Sequence, residues 1–162
     1  MSTPKSTLKI DILPAQAADA DTILALQKMA YATEAALHND PHIPPLTQTI
    51  AALRLEFTHK HVIKAQLDGH LIGSGRAEQL GDTAHIGRLM VAPAWQGQGI
   101  GTRLLQALEA HFDTATRFEL FTGEHSEQNI RLYEKHGYRR FKTGKAGQTT
   151  VIYFEKRRTT GA

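Results

Sequence analysis

Alternating and helical spacings of apolar residues divide the first part of the chain into two elements. Apolar residues at positions 8, 10 and 12 alternate with polar ones and predict a first strand over 8–12. Asp19 or Asp21 can cap the helix that follows. The inward face of this predicted helix carries Ile23, Leu26, Ala30, Glu34 and Leu37.

The stretch from 39 to 57 predicts a turn, a connector and a second helix. Residues 39–41 (Asn-Asp-Pro) end the first helix, and the prolines within 42–45 predict an extended connector. We expect the second helix to begin at Thr47. Its apolar face consists of Ile50, Leu53 and Phe57.

Strand-like runs follow on both sides of a hairpin signal. The dipeptide Asp68-Gly69 separates two such runs and favours a two-residue turn. A longer strand is then predicted to end near Val91. The remaining predicted strands cover residues 62–67, 71–77, 118–122, 138–141 and 150–155.

Three glycines at alternate positions connect the strand that ends near Val91 to another helix. Gly97, Gly99 and Gly101 let the backbone approach a ligand closely, and the first N–H groups of the helix then point at that ligand. This arrangement predicts a phosphate or pyrophosphate site. The inward residues of the helix are Ile100, Leu104, Leu105, Leu108 and Phe112.

The glycine spacing excludes two common phosphate loops. A dinucleotide fingerprint requires a third glycine where Thr102 stands, and it normally lies in the first strand–helix turn of a domain. A nucleoside-triphosphate loop ends in Gly-Lys-Ser/Thr, whereas Gly101-Thr102-Arg103 stands here.

Two ordered blocks together resemble the GCN5-related N-acetyltransferase family. The first is Gln96-x-x-Gly99-x-Gly101, which is similar to the family's coenzyme A pyrophosphate loop. The second is Asn129-x-x-x-Tyr133-x-x-x-Gly137-Tyr138, 28 residues after Gly101, and it looks like the family's other signature segment. Ser126 can cap the helix of this second block, and Gly137 stands where a left-handed residue ends a helix.

The resemblance implies a fold and a domain organisation. The fold is mixed α/β, with a central, mostly antiparallel, twisted sheet of about seven strands and four flanking helices. We expect one domain over residues 1–162, with flexible tails at 1–7 and 157–162, because no repeat or linker divides the chain.

The resemblance also implies where acetyl-CoA lies as co-substrate. The backbone of Leu89, Met90 and Val91 is expected to run beside the pantetheine arm, with a main-chain N–H as the oxyanion donor. Asn129 is expected to contact the cofactor or to fix its helix. The expected pyrophosphate contacts are Gln96, Gly97, Gln98, Gly99, Ile100, Gly101 and Thr102.

The family position of the general acid falls on Tyr133. A phenol is protonated at neutral pH and can give its proton to the departing thiolate. The alternative is a core tyrosine with a structural role.

Two residues, His85 and Glu78, are candidates for the general base. His85 occupies a position where family members carry a glutamate or histidine that removes the amine proton, and an imidazole titrates near neutral pH. Glu78, on the neighbouring predicted strand, is the alternative. Strand alternation predicts His85, Gly87, Leu89 and Val91 on one face.

No sequence motif in the expected acceptor pocket identifies the acceptor. Residues 31–60 and the turn at 142–148 are expected to line it. Tyr31, Glu34 and Phe121 are the candidate substrate contacts, although Glu34 at the end of its helix also fits a simple exposed position.

Composition removes several chemistries. The chain has no cysteine, which excludes an acyl-cysteine intermediate and cysteine-based zinc sites. The nine histidines match no known ligand spacing, so we expect no metal. The net charge of +3 has no concentrated basic stripe, and no apolar run is long enough for a bilayer, so neither nucleic acid nor membrane is an expected partner.

These observations favour a cytoplasmic N-acetyltransferase that transfers the acetyl group of acetyl-CoA to a primary amine by direct attack. The alternative is a non-catalytic acyl-CoA-binding or sensing domain. A homodimer is consistent with the family resemblance.

Overall fold

The computed structural model describes residues 9–158, in which seven strands form one sheet. The strands are β1 (Asp11–Pro14), β2 (His61–Leu67), β3 (His70–Leu80), β4 (Thr83–Val91), β5 (Arg117–Gly123), β6 (Arg139–Ala146) and β7 (Thr149–Arg157). Their order is β1-β2-β3-β4-β5-β7-β6, and each neighbouring pair is antiparallel except β4 and β5. The mixed α/β fold with a mostly antiparallel seven-stranded sheet is thereby confirmed.

The helices lie between the strands along the chain. They are α1 (Ala20–Leu37), α2 (Pro44–Thr47), α3 (Ile50–Glu56), α4 (Ile100–His111) and α5 (Glu127–Lys135). Four of them correspond to the predicted helices, and α2 is additional in the described part of the chain. None of the helices within residues 9–158 is both long and apolar enough to cross a membrane.

Two apolar clusters hold the helices on the sheet. The larger one joins α4 and α5 to the strands, and the predicted inward residues Ile100, Leu104, Leu105 and Leu108 are all buried in it. The smaller one joins α1 and α3 to β2 and β4. On α1 the predicted face is confirmed at Ile23 and Leu26, which are buried, but Leu37 is half exposed.

Among the boundaries that differ from the sequence prediction, four concern β1, α2, α3 and the end of the chain. Strand β1 begins at Asp11 rather than at 8, and Leu8 lies outside the described residues. The predicted extended connector contains α2 instead, because a proline at the first helical position needs no N–H partner and has a helical φ. Helix α3 begins at Ile50 rather than Thr47, where the Thr49 side chain accepts a hydrogen bond from the Ala52 N–H at 3.1 Å.

The fourth difference is at the end of the chain. The predicted tail from 157 does not begin there, since Arg157 belongs to β7. Arg158 is also held: its guanidinium donates to the carbonyls of Glu109, Ala115 and Phe112. Residues 1–8 and 159–162, where the rest of the predicted tails fall, lie outside the described residues.

A β-bulge in β4 overturns the predicted alternation of that strand. Met90 pairs with Ser74 but Gly87 pairs with Arg76, so β4 has one more residue than β3 between these pairs. Arg88 takes up the extra residue with a φ of 51°. Ile86 before the bulge and Leu89 after it both contact the cluster around α4. His85 and Gly87 therefore do not share a face with Leu89 and Val91.

The predicted turn glycines adopt the expected backbone conformation, whereas the predicted cap residue Ser126 does not cap its helix through its side chain. Asp68 and Gly69 have φ values of 49° and 81° in the β2–β3 hairpin, and Gly137 has a φ of 91° after α5. Ser126 stands at the N-cap of α5, but its side chain makes no cap hydrogen bond and instead donates to Glu34.

Candidate active site

A cavity of about 340 Å³ lies between α1 and strands β3, β4 and β5. Its wall includes every predicted catalytic and substrate residue, together with two of the predicted cofactor contacts. These residues are Tyr31, Glu34, Glu78, His85, Leu89, Phe121, Asn129 and Tyr133. The fold thus brings together side chains from five elements that are far apart in sequence.

The glycine loop lies at the C-terminal end of β4, outside the wall of this cavity. Gly97 and Gly99 have φ values of 78° and 80°, and a Cβ added to either would contact nothing within 4 Å. Gly99 is the N-cap of α4 and has no side chain to cap the helix, so the first-turn N–H groups have neither a side-chain cap nor an intrahelical acceptor. The Gln96 side chain braces the loop by donating to the Val91 carbonyl at 3.2 Å.

The third glycine has a different role from the other two. A Cβ on Gly101 would lie 3.4 Å from the Leu132 side chain, so this glycine allows α4 to pack closely against α5. Next to it, the Thr102 hydroxyl and the His136 Nε2 are 3.1 Å apart. These contacts place the N-terminus of α4 against α5, which carries Tyr133.

The strands β4 and β5 separate beside the loop. In the described part of the chain they pair only from Thr83–Arg117 to His85–Glu119. Beyond His85, β4 continues to Val91, while β5 pairs with β7 as far as Gly123. The backbone edge of β4 that faces β5 is therefore free of strand pairing after the bulge.

Tyr133 is buried, with 4% of its surface exposed. Its ring packs against Tyr138 and Phe154, at centroid distances of 6.1 and 5.8 Å. Burial raises the pKa of the Tyr133 phenol, and the nearby Tyr31 and Glu34 raise it further. The phenol consequently keeps its proton throughout the neutral range.

Asn129 connects α5 to β5. Its Nδ2 donates to the Thr122 hydroxyl at 3.3 Å, one helical turn before Tyr133. The side chain borders the cavity and has this fixed orientation.

Three polar residues form a row across the floor of the cavity. His85 is the register partner of Glu78 on β3 and of Glu119 on β5. The His85 Nδ1 lies 3.5 Å from Glu119 Oε2, while Arg117 holds the other Glu119 oxygen at 3.0 Å. Glu119 was not predicted from the sequence, because its only local signal is a charged residue between the buried Phe118 and Leu120.

Helix α1 closes one end of the cavity through two side chains. Glu34 accepts a hydrogen bond from the Ser126 hydroxyl and is partly buried, so its interpretation as a simply exposed residue is wrong. His38 Nε2 accepts from the His125 N–H at 2.9 Å, which leaves Nδ1 to donate to the Glu34 carbonyl at 2.8 Å. The His38 ring occupies the space that a side chain at Gly123 would need.

Two arginines that the sequence analysis did not single out lie beneath α1. Arg76 is 1% exposed and donates to Gln27 at 3.2 Å, Gln48 at 3.0 Å and Glu56 at 2.9 Å. Arg88, the bulge residue, also borders the cavity. Sequence alone does not distinguish these residues, because arginine in a strand is usually exposed.

The carboxylate of Glu56 neutralises the first of these arginines. Burial raises the pKa of Glu56, but the hydrogen bond from Lys60 and the charge of Arg76 outweigh it and lower the pKa to about 2. Lys60 Nζ is 2.6 Å from one Glu56 oxygen.

As for metal ligands, residues 9–158 contain no group of three or more His, Asp or Glu side chains placed to hold an ion.

Comparisons with known proteins agree with this geometry. The model of the acetyltransferase (GNAT) family matches residues 25–138. The UPF0157 protein YqkA of Bacillus subtilis (strain 168) is 31% identical over 137 residues, which cover 85% of this chain and 39% of that protein. The chain therefore spans well under half the length of this curated relative.

Two solved structures share the fold. One is the PaiA N-acetyltransferase of Thermoplasma acidophilum in complex with coenzyme A, with a TM-score of 0.73 and 16% identity over 93% of this chain and 100% of that one. The other is YncA of Salmonella typhimurium, a putative acetyltransferase with its cofactor acetyl-CoA, with a TM-score of 0.71 and 18% identity over 95% of this chain and 96% of that one. At these identities the likeness is one of fold.

Proposed function

This chain belongs to the GNAT acetyltransferase family, and from that premise we propose that it transfers the acetyl group of acetyl-CoA to the nitrogen of a primary amine. The proposal is supported chiefly by the position of the glycine loop next to two elements that carry candidate catalytic residues. A glycine loop with free helix-terminal N–H groups lies at the end of the strand that also carries His85, beside the helix that carries Tyr133.

The glycine loop and the free edge of β4 fit the two halves of the co-substrate. The N–H groups from Gln96 to Thr102 suit a pyrophosphate, because they combine a glycine-rich approach with the positive end of the α4 dipole. The edge of Leu89 to Val91 that faces β5, which has no strand partner, suits the amide groups of the pantetheine arm, which can pair with it like an added strand. The thioester then reaches the bulge, where the cavity begins.

The reaction proposed here is direct attack of the amine on the thioester carbonyl. The new C–N bond forms as a tetrahedral oxyanion develops, for which a main-chain N–H near the bulge is the proposed donor. The C–S bond then breaks, and Tyr133 gives its proton to the departing thiolate. The buried, protonated state of Tyr133 supports this role.

His85 is the proposed base that removes the amine proton. Its Nδ1 lies 3.5 Å from the Glu119 carboxylate, which leaves Nε2 on the side of the ring away from Glu119 to accept a proton. The side chain is about two-fifths exposed, which admits a water between the imidazole and the amine. Glu78, the register partner of His85 on β3, remains the alternative base.

The acceptor is proposed to enter the cavity under α1. Tyr31 and Glu34 line it from the helix, and Phe121 lines it from β5 with its ring 5.2 Å from that of Tyr153. An ammonium group is compatible with Glu34, Glu78 and Glu119, because three carboxylates border the same space.

The proposal is tested first by binding and then by turnover. Acetyl-CoA at a hundred times its dissociation constant should stabilise the protein by about 2.7 kcal/mol. Release of the coenzyme A thiol should then depend on the added amine in a panel of small amines, amino acids and peptides. Stabilisation by acetyl-CoA without amine-dependent thiol release would indicate a binding domain without this activity, and no stabilisation would contradict the cofactor assignment.

A further inference from the structure

Arg88 is the one arginine of the cavity that lacks a counter-ion in the described part of the chain. No carboxylate of residues 9–158 lies within 4.0 Å of its guanidinium, and its buried Nε has no hydrogen-bond partner. The Nε of Arg76, the other cavity arginine, also lacks a hydrogen-bond partner, but the charge of Arg76 is paired with Glu56 and its terminal nitrogens are bonded to two glutamines. A partly buried charge without a partner is unfavourable, so its position requires an explanation.

The backbone at Arg88 is also unusual. Its φ of 51° lies in the left-handed region, which a long side chain seldom adopts. The bulge that imposes this φ directs the side chain into the cavity rather than into either apolar cluster. Strain and an unsatisfied charge thus coincide at one residue that borders the proposed acetyl-transfer site, a combination that is typical of a ligand-binding position.

The distribution of charge in the cavity gives the ligand a polarity. Glu34, Glu78 and Glu119 present carboxylates, whereas Arg88 presents the unpaired cation, close to Tyr31 beneath α1. His85 and Arg88 are three residues apart along β4, and both side chains border the same space. A molecule with a positive and a negative group a few bonds apart fits between them.

We propose that Arg88 binds the carboxylate of the acceptor, and that the acceptor is therefore a small amine that carries a carboxylate, of the amino-acid class. The inference rests on the proposed function, since it identifies the substrate class for the same cavity. The guanidinium of Arg88 accepts a carboxylate with two parallel hydrogen bonds, and the amine then lies toward His85. The cavity volume of about 340 Å³ is suited to an amino acid rather than to a folded protein surface.

The decisive substrates are matched pairs that differ only in the carboxylate. Each standard L-amino acid is compared with its own carboxamide as acceptor, by kcat/KM for thiol release. Peptides that begin with an aspartate or glutamate and are amidated at the C-terminus form a third arm, because their carboxylate comes from a side chain of a larger molecule.

Two variants and a control isolate Arg88. Arg88→Asn removes the charge with a residue that tolerates a positive φ, and Arg88→Lys keeps the charge but loses the planar fork. Arg54→Asn is the control, because Arg54 is exposed and pairs with Asp21 at 3.3 Å. This substitution changes the net charge by the same amount as Arg88→Asn. Circular dichroism and acetyl-CoA affinity establish that each variant is folded.

The wild type should prefer at least one amino acid over its carboxamide by about 10- to 100-fold, as expected for hydrogen bonds to a charged group. This ratio should approach one in Arg88→Asn, be partly retained in Arg88→Lys, and be unchanged in Arg54→Asn. Equal rates for acids and carboxamides, a preference that survives Arg88→Asn, or a preference confined to the acidic peptides would overturn the inference while leaving the acetyltransferase proposal intact.

A binding arm keeps the two proposals distinguishable if no acceptor reacts. Calorimetry in the presence of coenzyme A compares N-acetyl amino acids with their carboxamides. Tighter binding of the acid form that disappears in Arg88→Asn supports the carboxylate site even if the proposed activity fails. Absence of any such difference overturns the carboxylate site.

Discussion

His85 on β4 and Glu119 on β5 are register partners on parallel strands, and the His85 Nδ1 lies 3.5 Å from Glu119 Oε2. The pair stands where β4 and β5 cease to pair and the cavity opens. A carboxylate on one ring nitrogen fixes the orientation of the imidazole and leaves the other nitrogen to take a proton. This relationship leads to the first prediction.

His85→Ala should remove the ascending limb of the pH profile of kcat/KM and retain activity mainly at high pH, where the acceptor amine is already neutral. The profile must be measured with two acceptors of different amine pKa, because the acceptor produces a similar limb. A limb that follows the acceptor and survives His85→Ala would show that His85 is not the base, and Glu78→Gln would then be the variant to examine.

Glu119→Gln provides the matched test of the pair. Loss of the carboxylate beside Nδ1 should lower kcat/KM, because the imidazole loses the group that fixes its orientation. An unchanged kcat/KM in Glu119→Gln would show that the two side chains do not act together in the reaction.

Tyr133→Phe should lower kcat by about 10²- to 10⁴-fold, because it removes the proposed proton donor and keeps the ring that packs against Tyr138 and Phe154. Acetyl-CoA affinity, measured by calorimetry, should change little. A loss of less than twofold in kcat would make Tyr133 a structural residue of the core.

Gly99→Asp should abolish acetyl-CoA binding, because the added carboxylate enters the proposed pyrophosphate site and repels it. Gly69→Asp is the matched control: Gly69 has a φ of 81° against 80° for Gly99, and neither glycine has an atom within 4 Å of an added Cβ. Both variants should lose a similar stability of about 1–2 kcal/mol from the left-handed backbone. Equal acetyl-CoA affinity in the two variants would remove the loop from the binding site.

Glu56→Gln should lower the free energy of unfolding at neutral pH by about 1.5–3 kcal/mol, because the buried Arg76 loses its charged acceptor. The pKa of Glu56 is lowered from 4.5 to about 2, so its stabilisation is complete above about pH 4.5 and is lost as the pH falls toward 2. Urea unfolding at a series of pH values should therefore show a shallower acid decline in the variant. Asp113→Asn, at an exposed position, is the control and should keep the acid decline of the wild type. A decline in Glu56→Gln that is as steep as in the wild type would contradict the assignment.

Elements with local signals could be predicted from the sequence. The inward residues of α4 follow a helical spacing, and Asp68-Gly69 forms the two-residue hairpin that its residue types favour. The glycine loop was recognisable for the same reason, since its proposed role in binding acetyl-CoA depends on backbone freedom at fixed positions.

Features that depend on how one strand pairs with another could not be predicted from local patterns. The bulge at Arg88 arises from the register of β4 against β3, and arginine gives no signal for a positive φ. Because of this bulge, the predicted alternation of β4 holds from His85 to Gly87 and again from Leu89 to Val91, but these two pairs do not share a face. Glu119 joins His85 because β5 is parallel to β4, which no local pattern of residues 117–123 indicates.

The most direct measurement of the central claim follows an isotope-labelled acetyl group from acetyl-CoA. With the wild-type protein and a reactive amine, we predict that the label appears in an amide on the acceptor nitrogen, in equal amount with the free coenzyme A thiol, and that Tyr133→Phe slows both together. If acetyl-CoA binds and the label stays in the thioester, or is released only as acetate, with every amine offered, the protein is not an N-acetyltransferase.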